Sequence, residues 1–135
     1  MGISQPAGYR HLTLHPPDVA VLSTPSGSEG YGQIIEELHR RSLDGPYYLI
    51  VDFGELKAGN VSKADREAAQ SALDPSWFLG GVYINASMPV RMMIKVLTLA
   101  MFLVGRADYP TEYVSSVEEA FDVVERFRRE RANRG

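Results

Sequence analysis

The run Tyr47-Tyr48-Leu49-Ile50-Val51-Asp52 constrains the fold more than any other segment. Its apolar and aromatic residues are unbroken as far as Val51, so a strand built from it has no polar side to turn toward water and must be covered on both faces. Covering layers of helix on both sides of a sheet are the condition of parallel or mixed α/β folds. Turn residues bound the run, with Asp44-Gly45-Pro46 before it and Gly54 after it.

The flanking segments supply both strands and helices. Tyr9 to His15 alternates through Leu12 and Leu14 and stops at Pro16-Pro17, and Val19 to Ser23 follows, which together read as an opening hairpin. Beyond the loop Thr24-Pro25-Ser26-Gly27, Ser28 is a cap residue, and Tyr31, Ile34, Ile35 and Leu38 at i, i+3, i+4, i+7 predict a helix ending near Asp44. Ser62 is spaced to cap a second helix reaching about Leu73, with Asp65 three residues on and Ala64, Ala68, Ala69 and Ala72 as strong helix formers.

Gly80 to Asn85 reads as a strand through Val82-Tyr83-Ile84. Ser87 then caps a long apolar helix to Val104, with Pro89 in the tolerated first turn and Gly105 as its stop. A short strand around Glu112-Tyr113-Val114 precedes the capping-box pair Ser116 and Glu119, which opens a last helix with Val117, Ala120, Phe121, Val124 and Phe127 on one face. The order ββαβαβαβα needs crossover connections between successive strands, so the expectation is an α/β fold with a mixed, mostly parallel sheet edged by the hairpin. With 135 residues, one domain over 9–131 is expected, with an N-terminal extension at 1–8 and a tail at 132–135.

Composition narrows the chemistry. The chain has no cysteine, which removes disulfides, thiolate metal sites and cysteine nucleophiles. Its net charge of -3 gives no electrostatic basis for nucleic-acid binding. His11, His15 and His39 follow no ligand spacing, no Gly-x-Ser-x-Gly elbow is present, and Gly27, Gly30 and Gly32 precede a strand instead of linking a strand to a helix. Neither a metal, a cofactor nor a catalytic residue is expected. The first residues, Met1-Gly-Ile-Ser-Gln-Pro, lack a signal-like basic and apolar pattern, and the apolar stretch from Met88 is interrupted by Pro89, Arg91 and Lys95 and falls short of the ~20 residues that span a bilayer. A cytoplasmic chain without a transmembrane segment is the expectation.

Three places remain where function could reside. Asp52, at the carboxyl end of a strand, is either an acid or base beside a crevice or, as its ordinary role, a loop anchor. Ser62 and Ser87 cap helices that follow strands, and with Lys63 and Arg91 beside them they form a candidate phosphoacceptor or anion site, the alternative being plain caps. In the apolar helix, Arg91, Lys95 and Thr98 form one narrow polar stripe, so its apolar surface exceeds the ~100° needed to lie on a sheet. Met88, Met92, Met93, Leu97 and Met101 are therefore a candidate surface for a protein partner, a second copy or an apolar ligand, against the alternative of a helix sandwiched in the core. Arg126, Arg128, Arg129, Arg131 and Arg134 read as a solvated helix end.

The combination of Tyr48-Leu49-Ile50-Val51-Asp52, the loop to Ser62 and its Ala-rich helix, Gly81-Val82-Tyr83-Ile84, Ser87, Pro89-Val90-Arg91 and the Ser116-x-x-Glu119-Ala120 helix resembles the STAS-like group related to anti-sigma factor antagonists. That resemblance spans nearly the whole chain. It implies a non-enzymatic regulatory or protein-interaction module in bacterial signalling, whose typical members contact an anti-sigma factor that is also a serine kinase. Their phosphoacceptor serine lies about ten residues after the strand-ending Asp, the spacing of Ser62 from Asp52, but Asn60-Val61-Ser62-Lys63 departs from their Asp-Ser-Ser/Thr-Gly run. A divergent bacterial branch with a shape like CRAL-TRIO lipid-binding domains is the nearer likeness, and it implies a lipid-like ligand as the alternative function.

Overall fold

The computed structural model describes residues 12–15, 17–23, 31–54, 63–64, 67, 73–103 and 109–134, with side chains described at all of these except 31–33, 75 and 97–103. The expected extension at 1–8, Ser62 and most of the helix proposed for 62–73 lie outside them, although Lys63, Ala64 and Glu67 have helical backbone. The chain forms β1 (Leu12–His15), β2 (Val19–Ser23), α1 (Tyr31–Ser42), β3 (Tyr47–Asp52), a 3-10 turn (Pro75–Trp77), β4 (Phe78–Ile84), α2 (Met88–Leu103), β5 (Thr111–Val114) and α3 (Val117–Arg134). It is an α/β fold with a five-stranded mixed sheet.

The sheet runs β1-β2-β3-β4-β5, so the apolar run at 47–52 occupies its middle. β1 pairs antiparallel with β2 and forms one edge, while β2 to β5 are parallel. Each parallel strand is added on the same side as the one before. Right-handed crossovers taken repeatedly in one direction deliver every connecting helix to the same face. Accordingly Ile34 and Leu38 of α1 and Val90 and Ile94 of α2 share a core with Tyr47, Leu49, Val51 and Tyr83. Among the described helices α3 alone, which follows the last strand, covers the other face, where Ala120, Val123, Val124 and Phe127 meet Tyr48, Ile50, Val82 and Ile84.

That arrangement explains the alternation in β3, whose residues divide between the two cores although all five apolar positions are buried. The Tyr47 hydroxyl donates to the Leu38 carbonyl at 2.8 Å, joining α1 to the central strand. In α3 the buried stripe is Ala120, Val123, Val124 and Phe127. Val117, expected on this face, is instead exposed, because it stands in the first turn beside the loop from β5. Ser116 caps the helix: the Glu119 amide donates to Ser116 Oγ at 3.1 Å, and Ser116 Oγ donates to Glu119 Oε1 at 3.4 Å, the carboxylate thus meeting the cap hydroxyl instead of the backbone amide that a capping box would use. The helix continues through Arg134, so residues 132–134, expected as a tail, are its last turn.

β4 begins at Phe78, two residues earlier than the sequence pattern placed it, and contains a bulge. Tyr47 pairs with Phe78 but Tyr48 pairs with Gly80, which leaves Leu79 as an extra residue and reverses the facing of everything after it. Phe78 and Tyr83, five positions apart, thereby reach the same core. The two glycines after the bulge lie under aromatic rings on opposite faces. A Cβ at Gly80 would stand 2.8 Å from Phe127 Cδ2, and one at Gly81 would stand 2.9 Å from the Tyr83 hydroxyl.

Candidate functional site

The carboxyl edge of the parallel strands gathers Asp52, Asn85, Ser87 and Ser116. Asp52 Oδ1 accepts a hydrogen bond from the Gly54 amide at 2.9 Å, the local turn by which a strand-ending Asp holds the start of a loop. Asn85 has φ 57°, a left-handed conformation that Asn tolerates better than most residues, and its amide donates to the Val114 carbonyl at 3.1 Å. This bend turns the chain from β4 into α2. Strand order in the parallel part of the sheet never reverses, so this edge has no switch point of the kind that opens a ligand crevice between diverging helices.

Ser87 lies at the start of α2 and is exposed, with its Oγ 3.4 Å from the Val90 amide. Arg91, one turn on, is committed locally: its Nε donates to the Ala86 carbonyl at 3.0 Å and its guanidinium lies 4.8 Å from the centre of the Tyr113 ring. Lys63 is exposed, and Ser62 is outside the described residues. The structure therefore brings Asp52, Ser87 and Arg91 to one edge of the sheet. Of the four-residue anion cluster, Ser62 alone lies outside the described residues.

The surface of α2 is divided in two. Val90 and Ile94 are buried against the sheet and Met93 packs beside them. On the opposite side Met88, Met92 and Val96, at i, i+4 and i+8, are exposed by 66%, 56% and 65%. One helical row is thus apolar and open to solvent. Leu97 and Met101 belong to the same helix, their side chains lying outside the described set. The whole of α2 carries Arg91 and Lys95 and no acidic residue.

A buried aromatic group supports α2 from beneath. Tyr83 touches Phe53 and Tyr113, and Tyr109 touches Phe78. Burial pushes the Tyr83 phenol far above its ordinary range, and its hydrogen bond with Tyr109 adds to the rise. These phenols stay neutral at ordinary pH and act as packing groups. His15 meets Phe121 edge-on and His39 stacks on Trp77, and among the described residues no cluster of three His, Asp or Glu could hold a metal ion.

The amino edge of the sheet holds an arrangement that sequence reading did not assemble. An open recess of about 540 Å³ is lined by Asp18, Tyr48, Leu79, Arg128, Arg131, Ala132 and Arg134. Tyr48 is buried, with Phe127 stacked beside it and the Arg128 guanidinium 5.7 Å from its ring centre, and it forms part of the lining of the recess. Arg128 bridges Asp18 and Glu125. Asp18 and Arg128 stand 110 positions apart in the sequence, so no local motif could have joined them. No described helix is long and apolar enough to cross a membrane. Compared with protein-family models, curated proteins and solved structures, the chain matches none.

Proposed function

We propose that the chain is a non-enzymatic interaction module of the STAS-like type, which binds a protein partner through the outer row of α2. The observation that carries this reading is the open apolar ridge Met88, Met92 and Val96 on a helix whose other side is anchored in the core. Methionine side chains adapt to a partner's shape at little cost, which suits a docking surface. The partner segment that fits such a row is an amphipathic one that lays its apolar side along the helix.

A convex helix row is poorly suited to an acyl or isoprenoid ligand, which needs a concavity that removes most of its surface from water. Protein docking is therefore the better-supported reading. The STAS-like resemblance adds a regulatory role: the partner would be an anti-sigma factor or kinase, with Ser62 as the phosphoacceptor. Ser62→Asp tests that part separately, through its effect on the affinity of the partner once known.

The docking surface is tested with a photo-crosslinking residue at position 92 and, as a control, at the exposed position 118. A single protein captured at 92 and not at 118, binding again when both purified components are mixed, supports the reading. Capture of the chain's own second copy would make the row a homodimer contact instead, and capture at 118 alone would overturn both.

A further inference from the structure

We infer that the recess at the amino edge of the sheet is a binding site for a small organic phosphate, held by Arg131, Arg134 and the hydroxyl of Tyr48. The site lies on the face covered by α3, away from the α2 ridge, and does not depend on the docking reading.

Asp18 and Arg128 both line the recess and neutralise each other, Arg128 reaching Asp18 through one nitrogen and Glu125 through another. Among the described residues no carboxylate pairs with the guanidiniums of Arg131 and Arg134, two positive groups suited to a dianion. Spacing supports this. Arg128, Arg131 and Arg134 follow one another at i, i+3, i+6, so they rise along one side of α3 facing the same recess. A guanidinium presents paired donors in a plane, matching phosphate oxygens better than a single ammonium would, and every cation lining this recess is an arginine.

Tyr48 supplies the floor. Its hydroxyl lies within the field of Asp18, Arg128, Arg131 and Arg134, and burial holds the phenol above its ordinary range, so it remains protonated and donates a hydrogen bond at neutral pH. The Asp18–Arg128 bridge fixes the turn before β2 to α3 and so sets the width of the recess. Leu79, displaced by the bulge in β4, and Ala132 provide apolar wall against which the carbon part of a monoester can lie. The recess, about 540 Å³ and open to solvent, has room for a phosphate monoester. A helix C-terminus repels anions weakly, and it also stabilises the same arginines as cations; convergence of three of them on one recess with a protonated phenol is what plain capping does not require.

The test is a nuclear magnetic resonance titration of the intact chain with phenyl phosphate, inorganic phosphate and phenyl sulfate, followed by the same titrations of R131Q/R134Q and Y48F. Saturable shifts at the backbone amides of Tyr48, Leu79 and Arg131 at millimolar phenyl phosphate are expected. The double variant should weaken binding by about ten-fold or more, and Y48F by a few-fold, as loss of charge-assisted hydrogen bonds implies. Equal affinity for inorganic phosphate would identify the bare dianion as the ligand, and tighter binding of the monoester would identify the organic phosphate; phenyl sulfate, a monoanion, should bind most weakly. All substituted side chains except Tyr48 are exposed, and retained amide dispersion verifies folding. Absence of saturation, equal binding by R131Q/R134Q, or tighter binding of a short DNA duplex than of phenyl phosphate would each overturn the assignment.

Discussion

Gly80 lies directly under the Phe127 ring, where a Cβ would come within 2.8 Å of Cδ2. The same ring stacks on Tyr48, whose Cδ1 would be 3.1 Å from that Cβ, so Phe127 has little room to withdraw. Contact between β4 and α3 therefore depends on the missing side chain. Gly80→Ala should destabilise the fold by about 1–3 kcal/mol, the usual cost of overpacking. Urea unfolding measures it, and Phe127→Leu in the same chain should recover part of the loss; an unchanged midpoint for Gly80→Ala would contradict the packing described.

Ser116 Oγ accepts from the Glu119 amide at the start of α3 and so satisfies one of its free donors. Ser116→Ala should cost about 1 kcal/mol, typical for loss of an N-cap. Ser87→Ala should cost less, because its contact with the Val90 amide is long at 3.4 Å. Thermal unfolding of the two variants tests the order, which would be reversed if Ser87 were the stronger cap.

Alkaline pH should weaken the fold through its buried tyrosines. Burial raises the Tyr47 phenol, with Arg41 opposing and Glu37 adding to the rise, and burial likewise raises Tyr83 and Tyr109. Below the ordinary tyrosine value of about 10 both folded and unfolded chains hold these protons, so stability is unaffected there. Above it the unfolded chain releases them first, and stability falls with each further rise in pH. Absorbance of tyrosinate should therefore appear partly in an abrupt step that coincides with loss of circular dichroism. Smooth ionisation of every tyrosine near pH 10 (about the free value) with the fold intact would contradict the burial.

The two sides of α2 should respond differently to substitution. Ile94→Ala, in the core, should cost about 2–5 kcal/mol, whereas Met92→Glu, on the open row, should change stability by less than about 0.5 kcal/mol. Denaturant unfolding of both variants checks this, and a large loss from Met92→Glu would mean that the row is covered within the chain.

What the sequence made legible was local. The β3 run, the antiparallel hairpin at one edge, the Ser116 cap and the surplus apolar surface of α2 each arise from neighbours within a turn or a strand, and the structure contains all four. The bulge at Leu79 was not legible, because a single inserted residue changes facing without changing composition. The stripe of α3 was read with Val117 in place of Val123, since periodicity alone does not say where the sheet edge ends. The amino-edge recess was missed altogether: Asp18, Tyr48, Leu79 and Arg128 meet only after three crossovers, and the arginines look like ordinary helix-end cations until that happens.

If the outer row of α2 is a protein-docking surface, the affinity of Met92→Glu for the partner captured at position 92 must fall. A partner packed on this row should bind the variant at least about ten-fold more weakly, as loss of one buried apolar anchor and gain of a charge there imply, while the variant unfolds at the same denaturant concentration as the parent chain. Undiminished affinity at equal stability would contradict the account.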